Sequence, residues 1–284
     1  DSVDTWLLVG TNTGGIFVLS GNAGTDYVDN AATTYLYSTS GSPGCPATGA
    51  DFDADGTLDL VVKATADSAN GTASGRLWVD LNMTPGSHDL GNVAVDIYGE
   101  GALDRAGIVH TGDLTGDGMD ALIVGAWRAE EPMQNRSTGA VYLVENPTLL
   151  SVVGSMPLNY ADAKFYGNTS DLSLGFSLEH GDFDGDGYQD LIMGAPNSNR
   201  YYTSGGLIYM AYGPLSPTGI QPASNQGQTF YGLTNSNFGY SLAVGDPDGD
   251  GIGDLLVGSV VADVFGYTDN GAAALYYGPF PGGA

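Results

Sequence analysis

The sequence has very few positively charged residues. It contains 7 Lys and Arg against 33 Asp and Glu, which gives a formal net charge of −26 over 284 residues. Nucleic acids and anionic membrane surfaces are bound through Lys and Arg, so this balance argues against both as partners. Because 42% hydrophobic and 10% aromatic residues are too many for a disordered acidic chain, we expect a folded protein whose carboxylates are solvated, paired or bound to metal.

Cysteine and long apolar runs are also scarce. Cys45 is the single cysteine, which excludes an internal disulfide and any cysteine-based zinc or iron–sulfur site. No run approaches the roughly 18 apolar residues of a membrane span, so we expect no direct membrane insertion. The first residues show no basic segment followed by an apolar one, so we expect any signal peptide to be absent or already removed.

Four acidic segments recur along the chain. Each starts with an aspartate and turns into a short apolar run: "DFDADGTLDLVVKA" from Asp51, "DLTGDGMDALIVGA" from Asp113, "DFDGDGYQDLIMGA" from Asp182 and "DPDGDGIGDLLVGS" from Asp246. Their first aspartates are spaced 62, 69 and 64 residues apart. Self-similarity at a period of this length is the signature of a repeat architecture.

Each repeat holds up to four short apolar runs, separated by Gly, Asn, Asp and Ser. Such runs are typical of strands and turns, and no stretch sustains the helical period, so we expect little helix. The pattern predicts an all-β fold, a β-propeller of four-stranded antiparallel blades with about four and a half to five blades in this chain. A β-solenoid ranks lower, because its repeats are usually roughly 20 to 30 residues long.

We expect a single domain, since no Pro-, Gly- or Ser-rich linker is visible. Residues 1–284 divide into repeat units of roughly 1–38, 39–99, 100–168, 169–232 and 233–284. The first unit has no acidic segment before its strands, and the last stops after a third strand. Three explanations remain open, of which we favour the first: the chain is part of a longer polypeptide, its ends close a five-bladed ring, or its edges pair between chains.

The acidic segments have the ligand pattern of a calcium loop. Counted from the first aspartate, carboxylates fall at positions 1, 3, 5 and 9, with glycine at position 6 to allow a tight turn. Oxygen donors in this number suit Ca²⁺ better than Mg²⁺, which keeps several waters, or Zn²⁺, which needs His or Cys. Position 12 lies in an apolar run instead of carrying the Glu of an EF-hand, so we place the ion in a strand-to-strand turn.

We therefore predict about four calcium sites. Position 7 would contribute its backbone carbonyl. The candidate ligands are Asp51, Asp53, Asp55, Thr57 and Asp59 in the first loop; Asp113, Thr115, Asp117 and Met119 in the second; Asp182, Asp184, Asp186, Tyr188 and Asp190 in the third; and Asp246, Asp248, Asp250, Ile252 and Asp254 in the fourth. The second loop is expected to bind most weakly, because Ala121 stands at position 9 and Asp120 comes one residue early.

The last two repeats resemble FG-GAP repeats, the blades of the integrin α-subunit β-propeller. The resemblance rests on "FGYSLAVGDPDGDGIGDLLVGS", with its Phe238-Gly239 pair, and on "LGFSLEHGDFDGDGYQDLIMGAP", which ends in Gly194-Ala195-Pro196. It spans most of the chain and weakens towards the N-terminus, where Lys63 replaces the repeat glycine. It implies one calcium per loop on one face of the propeller and ligand binding on the opposite face or at the rim.

Two functions follow from this resemblance. The first is an extracellular or cell-surface calcium-binding module for adhesion or for binding a protein or other ligand. The alternative is a carbohydrate-binding lectin of the same repeat family, with Trp127, Tyr201 and Tyr202 in predicted loops as candidate sugar contacts. Phe17, Trp78, Tyr142 and Tyr209 share one place in the third strand, so we expect them in the core between blades.

An enzyme is the least favoured hypothesis. The sequence contains no Gly-x-Ser-x-Gly or His-Glu-x-x-His motif. Its three histidines are His88, His110 and His180, of which the last two precede acidic loops at similar repeat positions. A carboxylate pair could support glycoside hydrolysis, but the carboxylates in register are assigned to metal.

Overall fold

The described part of the structure is almost entirely β-sheet. The computed structural model describes residues 7–10, 15–19, 32–37, 48–81, 86–92, 95–130, 137–152, 154–168, 171–216, 218–263 and 267–281. Its 21 strands form five sheets, here called the first to the fifth sheet in chain order. The predicted all-β fold class is thereby confirmed. The single cysteine, Cys45, lies outside the described residues.

Two of the first three sheets hold five strands and one holds four. The first sheet contains β1 (Leu7–Gly10), β2 (Gly15–Leu19), β3 (Ala32–Tyr37) and β7 (Gly86–Asp89). The second contains, in spatial order, β4 (Gly49–Ala50), β5 (Asp59–Ala64), β6 (Arg76–Asp80), β8 (Val95–Tyr98) and β12 (Gly154–Pro157). The third contains β9 (Ala106–Gly112), β10 (Ala121–Ala126), β11 (Ala140–Val144), β13 (Ala163–Tyr166) and β17 (Gly219–Pro222).

The remaining two sheets come from the C-terminal part of the chain. The fourth contains β14 (Ser177–Gly181), β15 (Asp190–Ala195), β16 (Leu207–Ala211) and β18 (Gly227–Tyr231). The fifth contains β19 (Phe238–Gly245), β20 (Asp254–Ser259) and β21 (Ala272–Tyr276). The described helices are α1 (Asn146–Ser151) and 3-10 turns at Leu90–Asn92, Leu158–Tyr160 and Ala223–Asn225. No helix in this part of the chain has the length and apolar character of a membrane span.

Within each repeat the strands pair antiparallel with their neighbours in the chain. In the third sheet β9 pairs with β10, β10 with β11 and β11 with β13. The fourth sheet repeats this order in β14, β15, β16 and β18. This arrangement is the four-stranded antiparallel blade that the apolar runs predicted, and short strands joined in sequence keep most pairings local.

A parallel strand from the next repeat adds to three of the sheets, which the sequence did not predict. β7 pairs parallel with β3, β12 with β8 and β17 with β13. Each of these short strands is followed by a 3-10 turn, after which the chain returns to its own sheet as the fourth strand. The added strand therefore ties each of these three sheets to the next repeat through backbone hydrogen bonds.

Apolar side chains fill the spaces between successive sheets. One buried cluster joins the second and third sheets, a second joins the third and fourth, and a third joins the fourth and fifth. Trp78, Tyr142 and Tyr209 of the third strands are at most 1% exposed, as the sequence predicted. Phe17 lies outside the residues whose side chains are described. Burial of aromatic and aliphatic surface between sheets is thus the main source of cohesion.

In the second, third and fourth sheets a glycine just before the third strand lets the next sheet come close. Gly75, Gly139 and Gly206 have φ values of +84°, +86° and +72°. Each forms an isolated parallel bridge with the following repeat, as between Gly139 and Leu174. A Cβ on Gly139 would lie 2.2 Å from the carbonyl oxygen of Leu174. Glycine is required here both for its backbone conformation and for space.

We predict that Gly139→Ala lowers the free energy of unfolding by roughly 2–4 kcal/mol, from left-handed strain and overpacking together. Gly154→Ala is the matched control, because Gly154 has a φ of +87° but no atom near its Cβ position. The control should lose only about 1 kcal/mol, the strain alone. Urea unfolding measures both, and equal losses would contradict the close-approach argument.

Candidate functional site

The four acidic segments occupy one structural position in their sheets. Residues 51–58, 113–120, 182–189 and 246–253 each connect the strand before the loop to the second strand of the same sheet. The residue after the first aspartate is fully buried in three of them, as Phe52, Leu114 and Phe183. An apolar anchor and a core strand therefore hold each of these three loops at its two ends.

The first aspartate of every loop curls the backbone around its carboxylate. In the third loop Asp182 accepts hydrogen bonds from the N–H groups of Gly185 and Gly187, at 2.7 and 2.9 Å. The glycine at position 6 has a φ between +85° and +90° in all four loops, as the tight turn requires. Asp113 and Asp246 accept equivalent bonds in their own loops, whereas Asp51 accepts from the N–H groups of Asp55 and Gly56, at positions 5 and 6.

The carboxylate at position 5 fixes the backbone at position 7. In the third loop the N–H of Tyr188 donates to Asp186 over 2.9 Å. The same bond joins position 7 to position 5 in the other loops: Thr57 to Asp55, Met119 to Asp117 and Ile252 to Asp250. These bonds hold the side chain at position 5 inside its own turn.

The aspartate at position 9 begins the core strand. Asp59 and Asp190 are fully buried, and each accepts a hydrogen bond from the N–H at position 2 of its loop, over 2.7 and 2.9 Å. Asp190 also accepts from Gly213 (2.8 Å), and Asp254 accepts from Gly278 (2.9 Å). One side chain thus links the start of the loop, its end and the following turn.

Three of the four loops bring three carboxylates together within 4.8 Å of one another. The groups are Asp51, Asp53 and Asp59; Asp182, Asp184 and Asp190; and Asp246, Asp248 and Asp250. Asp55, Asp186 and Asp254 stand outside these groups, although each belongs to a predicted ligand set. In the described loop 113–120, Asp113, Thr115 and Asp117 form no such group, since Thr115 stands at position 3 and Ala121 at position 9, which leaves carboxylates only at positions 1 and 5 of the ligand pattern.

Two buried carboxylate oxygens at position 9 of the loops are left without a partner. Asp59 Oδ1 and Asp254 Oδ2 are inaccessible to solvent and accept no hydrogen bond. Burial raises the pKa of Asp59 to about 6, with a further contribution from Asp53, Asp51 and Asp55. Burial likewise raises the pKa of Asp190 to about 6. The unpaired Asp59 oxygen lies in a cluster of like charges, and the unpaired Asp254 oxygen lies at the end of a loop that carries another cluster. A hard cation would satisfy such oxygen donors, so the residues fit Ca²⁺.

The aromatic residues predicted as sugar contacts lie at the strand ends opposite the acidic loops. Trp127 is partly exposed at the end of β10, while Tyr201 and Tyr202 are 48% and 44% exposed in the loop between β15 and β16. The rings of Tyr201 and Tyr231 stack at 4.3 Å beside a cavity of about 430 Å³ between the fourth and fifth sheets. The sequence identified the first three residues and missed Tyr231.

The two described histidines form a pair in adjacent sheets. The rings of His110 in β9 and His180 in β14 meet edge to face at 6.1 Å. Burial lowers the pKa of His110 to about 4 and also lowers the pKa of His180. Both imidazoles are therefore neutral at pH 7, in keeping with packing between the strands that precede the loops. The side chain of His88 lies outside the described residues.

Comparison with known proteins supports the repeat assignment. Residues 174–209 match the family model of the FG-GAP repeat. The chain is 34% identical to integrin alpha-4 of Xenopus laevis over 166 residues, which cover 55% of this chain and 14% of that protein. The predicted resemblance to FG-GAP repeats and integrin α subunits is confirmed.

A second group of relatives carries the name of an enzyme. The chain is 27% identical to phosphatidylinositol-glycan-specific phospholipase D of Dictyostelium discoideum over 212 residues, or 69% of this chain and 22% of that protein. The human phospholipase of the same name is 33% identical over 115 residues, or 39% of this chain and 14% of that protein. The chain therefore spans less than a quarter of the length of each of these relatives.

We predict that Asp59→Asn stabilises the metal-free protein at pH 7. The pKa of Asp59 is about 6 in the folded state, against about 3.9 in an unfolded chain, so the folded state binds the proton more tightly. Ionised Asp59 thus destabilises the fold above pH 6, and this cost disappears as the pH falls below about 4. A pKa difference of about 2 corresponds to roughly 3 kcal/mol without solvent screening, and screening in the loop reduces this to about 1 kcal/mol. The variant should therefore gain about 1 kcal/mol at pH 7 and nearly nothing at pH 4.

Urea unfolding in EDTA at both pH values measures this difference. Asp53→Asn serves as the control, because Asp53 is exposed in the same loop and should give a smaller gain. A gain for Asp59→Asn that is the same at pH 4 as at pH 7 would rule out the proposed ionisation effect.

Proposed function

We propose that this chain is an extracellular calcium-binding β-propeller module that binds a protein or glycan ligand. Calcium has a structural role in this proposal and occupies about four loop sites, of which the Asp113 loop is the weakest. The FG-GAP match and the integrin relatives support a binding module. A role in adhesion is part of this proposal, on the resemblance to integrin α subunits.

The three-carboxylate clusters are the observation that carries the calcium proposal. The clusters of the first and third loops join side chains from both ends of the loop, at positions 1, 3 and 9, whereas that of the fourth loop joins positions 1, 3 and 5. All three lie in loops that curl around their first aspartate. All of the donors are oxygens, which favours Ca²⁺ over Zn²⁺. The partnerless oxygens of Asp59 and Asp254 add an electrostatic demand that protein groups do not meet.

The chain's own residues define what the ion would do. A bound Ca²⁺ would supply positive charge to the clustered carboxylates. The position-9 aspartates would then hold the core strand, the loop and the ion together, because they already bond the backbone at position 2. Calcium would thereby keep adjacent strands in register. Exposed loops of this kind suit a compartment with roughly millimolar calcium, which supports an extracellular or cell-surface location.

We propose binding and not catalysis as the role of this chain. The similarity to the phospholipases is confined to the repeat-like region and covers 22% or less of their length. Integrin relatives match the same kind of region. The acidic clusters stand in the positions of structural metal loops, so they suggest no separate acid–base pair.

Glycan binding is the second candidate function. Tyr201, Tyr202 and Tyr231 present aromatic surface beside the 430 Å³ cavity. Concave sites with aromatic walls and a few polar groups are typical of small-ligand binding. The cavity also contains Asp263 and Ser236, which could accept or donate hydrogen bonds. A glycan would then bind between two sheets, away from the calcium loops.

We further propose that another β-sheet covers the outer face of the fifth sheet. Leu256 and Leu275 are each 41% exposed there. The equivalent residues of the fourth sheet, Ile192 and Met210, are fully buried against the fifth. A continuation of the same repeat is the occupant we favour, and self-association of the chain is the alternative. Either would bury the same apolar surface.

Calcium should raise the melting temperature. A site with a dissociation constant near 0.1 mM adds about 1.4 kcal/mol at 1 mM calcium. Three such sites should therefore raise the transition by at least about 5 °C relative to EDTA. Differential scanning fluorimetry measures the shift, with magnesium at equal concentration as the control. An unchanged transition on chelation would show that the loops are not calcium sites.

The third loop should matter more than the second. Asp186→Ala removes position 5 of a complete ligand set, whereas Asp120→Ala changes a residue one place before position 9 of the incomplete one. We expect Asp186→Ala to lower the calcium-dependent gain in melting temperature by about 2–4 °C, the equivalent of about 1 kcal/mol. Asp120→Ala should change it by less than about 1 °C. Equal effects of the two substitutions would overturn the ranking of the loops.

A further inference from the structure

Five side chains from three sheets meet at the end of the strands opposite the calcium loops. Arg105 directly precedes β9, whose far end leads into the Asp113 loop, and Trp127 and Arg128 follow β10. Phe176 directly precedes β14, and Tyr240 lies near the start of β19. We call these residues the arginine–tryptophan cluster. They come together only because successive sheets place equivalent strand ends side by side.

Three aromatic rings of the cluster form a continuous row. Trp127 meets Phe176 edge to face at 5.8 Å, and Phe176 lies 4.8 Å from Tyr240. Trp127 and Phe176 are partly exposed and Tyr240 is 42% exposed. The row therefore offers flat apolar surface to solvent across the third, fourth and fifth sheets.

Two guanidinium groups flank this row. The Arg105 and Arg128 guanidinium carbons lie 5.8 and 5.3 Å from the centre of the Trp127 ring, within the range of cation–π attraction. Their backbones are fixed, because the N–H of Arg105 donates to the Ala73 carbonyl (3.1 Å) and the N–H of Arg128 to the Asp104 carbonyl (3.2 Å). The charges are thus held beside the rings on a rigid base.

These two arginines differ from the other described arginines and lysines for which contacts are given. Arg76, Lys164 and Arg200 each pair with a carboxylate at 2.6 to 3.3 Å. Within the described residues neither Arg105 nor Arg128 forms an ion pair. This contrasts with the 33 Asp and Glu residues of the full sequence. Arg105 Nε is also buried without a hydrogen-bond partner. Within the described residues both guanidinium groups thus lack the carboxylate partner that the other three cations have. An acceptor supplied from outside would meet the terminal nitrogens of these side chains, since the buried Arg105 Nε is out of its reach.

The chemistry of the cluster defines its ligand. A guanidinium binds a carboxylate through two parallel hydrogen bonds, and the adjacent rings can cover the apolar face of a flat ligand. The net charge of −26 would repel a polyanion such as a nucleic acid or a heavily sulfated chain. A glycan with one acidic sugar has a single carboxylate for the guanidinium groups and an apolar ring face for the aromatic rings, and it carries too little charge to be strongly repelled. The row of rings favours a sugar over a peptide, whose side chains would need separate pockets.

We propose that the arginine–tryptophan cluster binds a carboxylate-bearing sugar, such as a sialic acid or a uronic acid, at the end of a glycan. The inference rests on the proposed role of the chain as a binding module and names a ligand class for it. The carboxylate contacts Arg105 and Arg128, while the sugar rings lie along Trp127, Phe176 and Tyr240.

Binding to an array of matched glycans tests this inference. The array holds sialylated, uronic-acid-terminated, sulfated and neutral forms of the same cores, together with acidic peptides, and the protein is applied in 1 mM calcium. We expect acidic-sugar glycans to bind at least tenfold more tightly than their neutral forms. Arg128→Gln should lower that affinity at least tenfold, because it removes one charged fork from an exposed position.

Two controls separate loss of the site from loss of the fold. Tyr267→Ala removes a 69% exposed aromatic residue outside the cluster and should leave glycan binding unchanged. The melting temperature of each variant in calcium should equal that of the parent protein. Arg128→Lys keeps the charge without the planar fork and should bind with intermediate affinity.

Several results would overturn the inference: equal binding of acidic and neutral glycans, full binding by Arg128→Gln, no glycan binding at all, or preference for acidic peptides. The calcium proposal is judged separately by the shift in melting temperature. Selective glycan binding with no calcium shift would refute the calcium proposal and leave this inference standing.

Discussion

The buried carboxylate at the start of a core strand is the constraint on which the loops depend. A charge in that position is costly unless hydrogen bonds and opposite charge compensate it. Asp59 and Asp190 receive backbone N–H bonds from their own loops, but those bonds do not neutralise the neighbouring aspartates. The position-9 aspartate therefore couples the start of the core strand to the arrangement of the oxygen donors in its loop. Ala121 removes this link from the second loop.

Local patterns predicted much of the fold and the position of the acidic loops. The apolar runs after Asp59 and Asp190 are strands, and the aromatic residues Tyr142 and Tyr209 of the third strands are buried. The strands and the buried aromatic residues could be predicted from the sequence because each depends on residues a few positions apart. The sequence also predicts that His110 and His180 occupy similar positions in their repeats. The structure shows that their rings pack edge to face between two adjacent sheets.

Two features could not be predicted, because they join distant parts of the chain. The strands Gly154–Pro157 and Gly219–Pro222 have no apolar alternation, and each pairs with a strand of the preceding repeat. The arginine–tryptophan cluster spans residues from Arg105 to Tyr240. Its one sequence signal is the aromatic residue after the repeat glycine, in Gly175-Phe176 and Gly239-Tyr240. That signal does not predict the contact between Phe176 and Tyr240, which depends on how adjacent sheets pack.

The parallel strand donated by each following repeat also sets an order of events during synthesis. The antiparallel strands of the second sheet can pair as soon as they leave the ribosome. The free edge of β8 stays open until residues 154–157, which form β12, have been synthesised. The sheet that ends in β13 waits in the same way for residues 219–222. Maturation of each of these sheets therefore lags one repeat behind translation. The edge of each of these sheets is unpaired until the nascent chain itself supplies the strand that pairs with it.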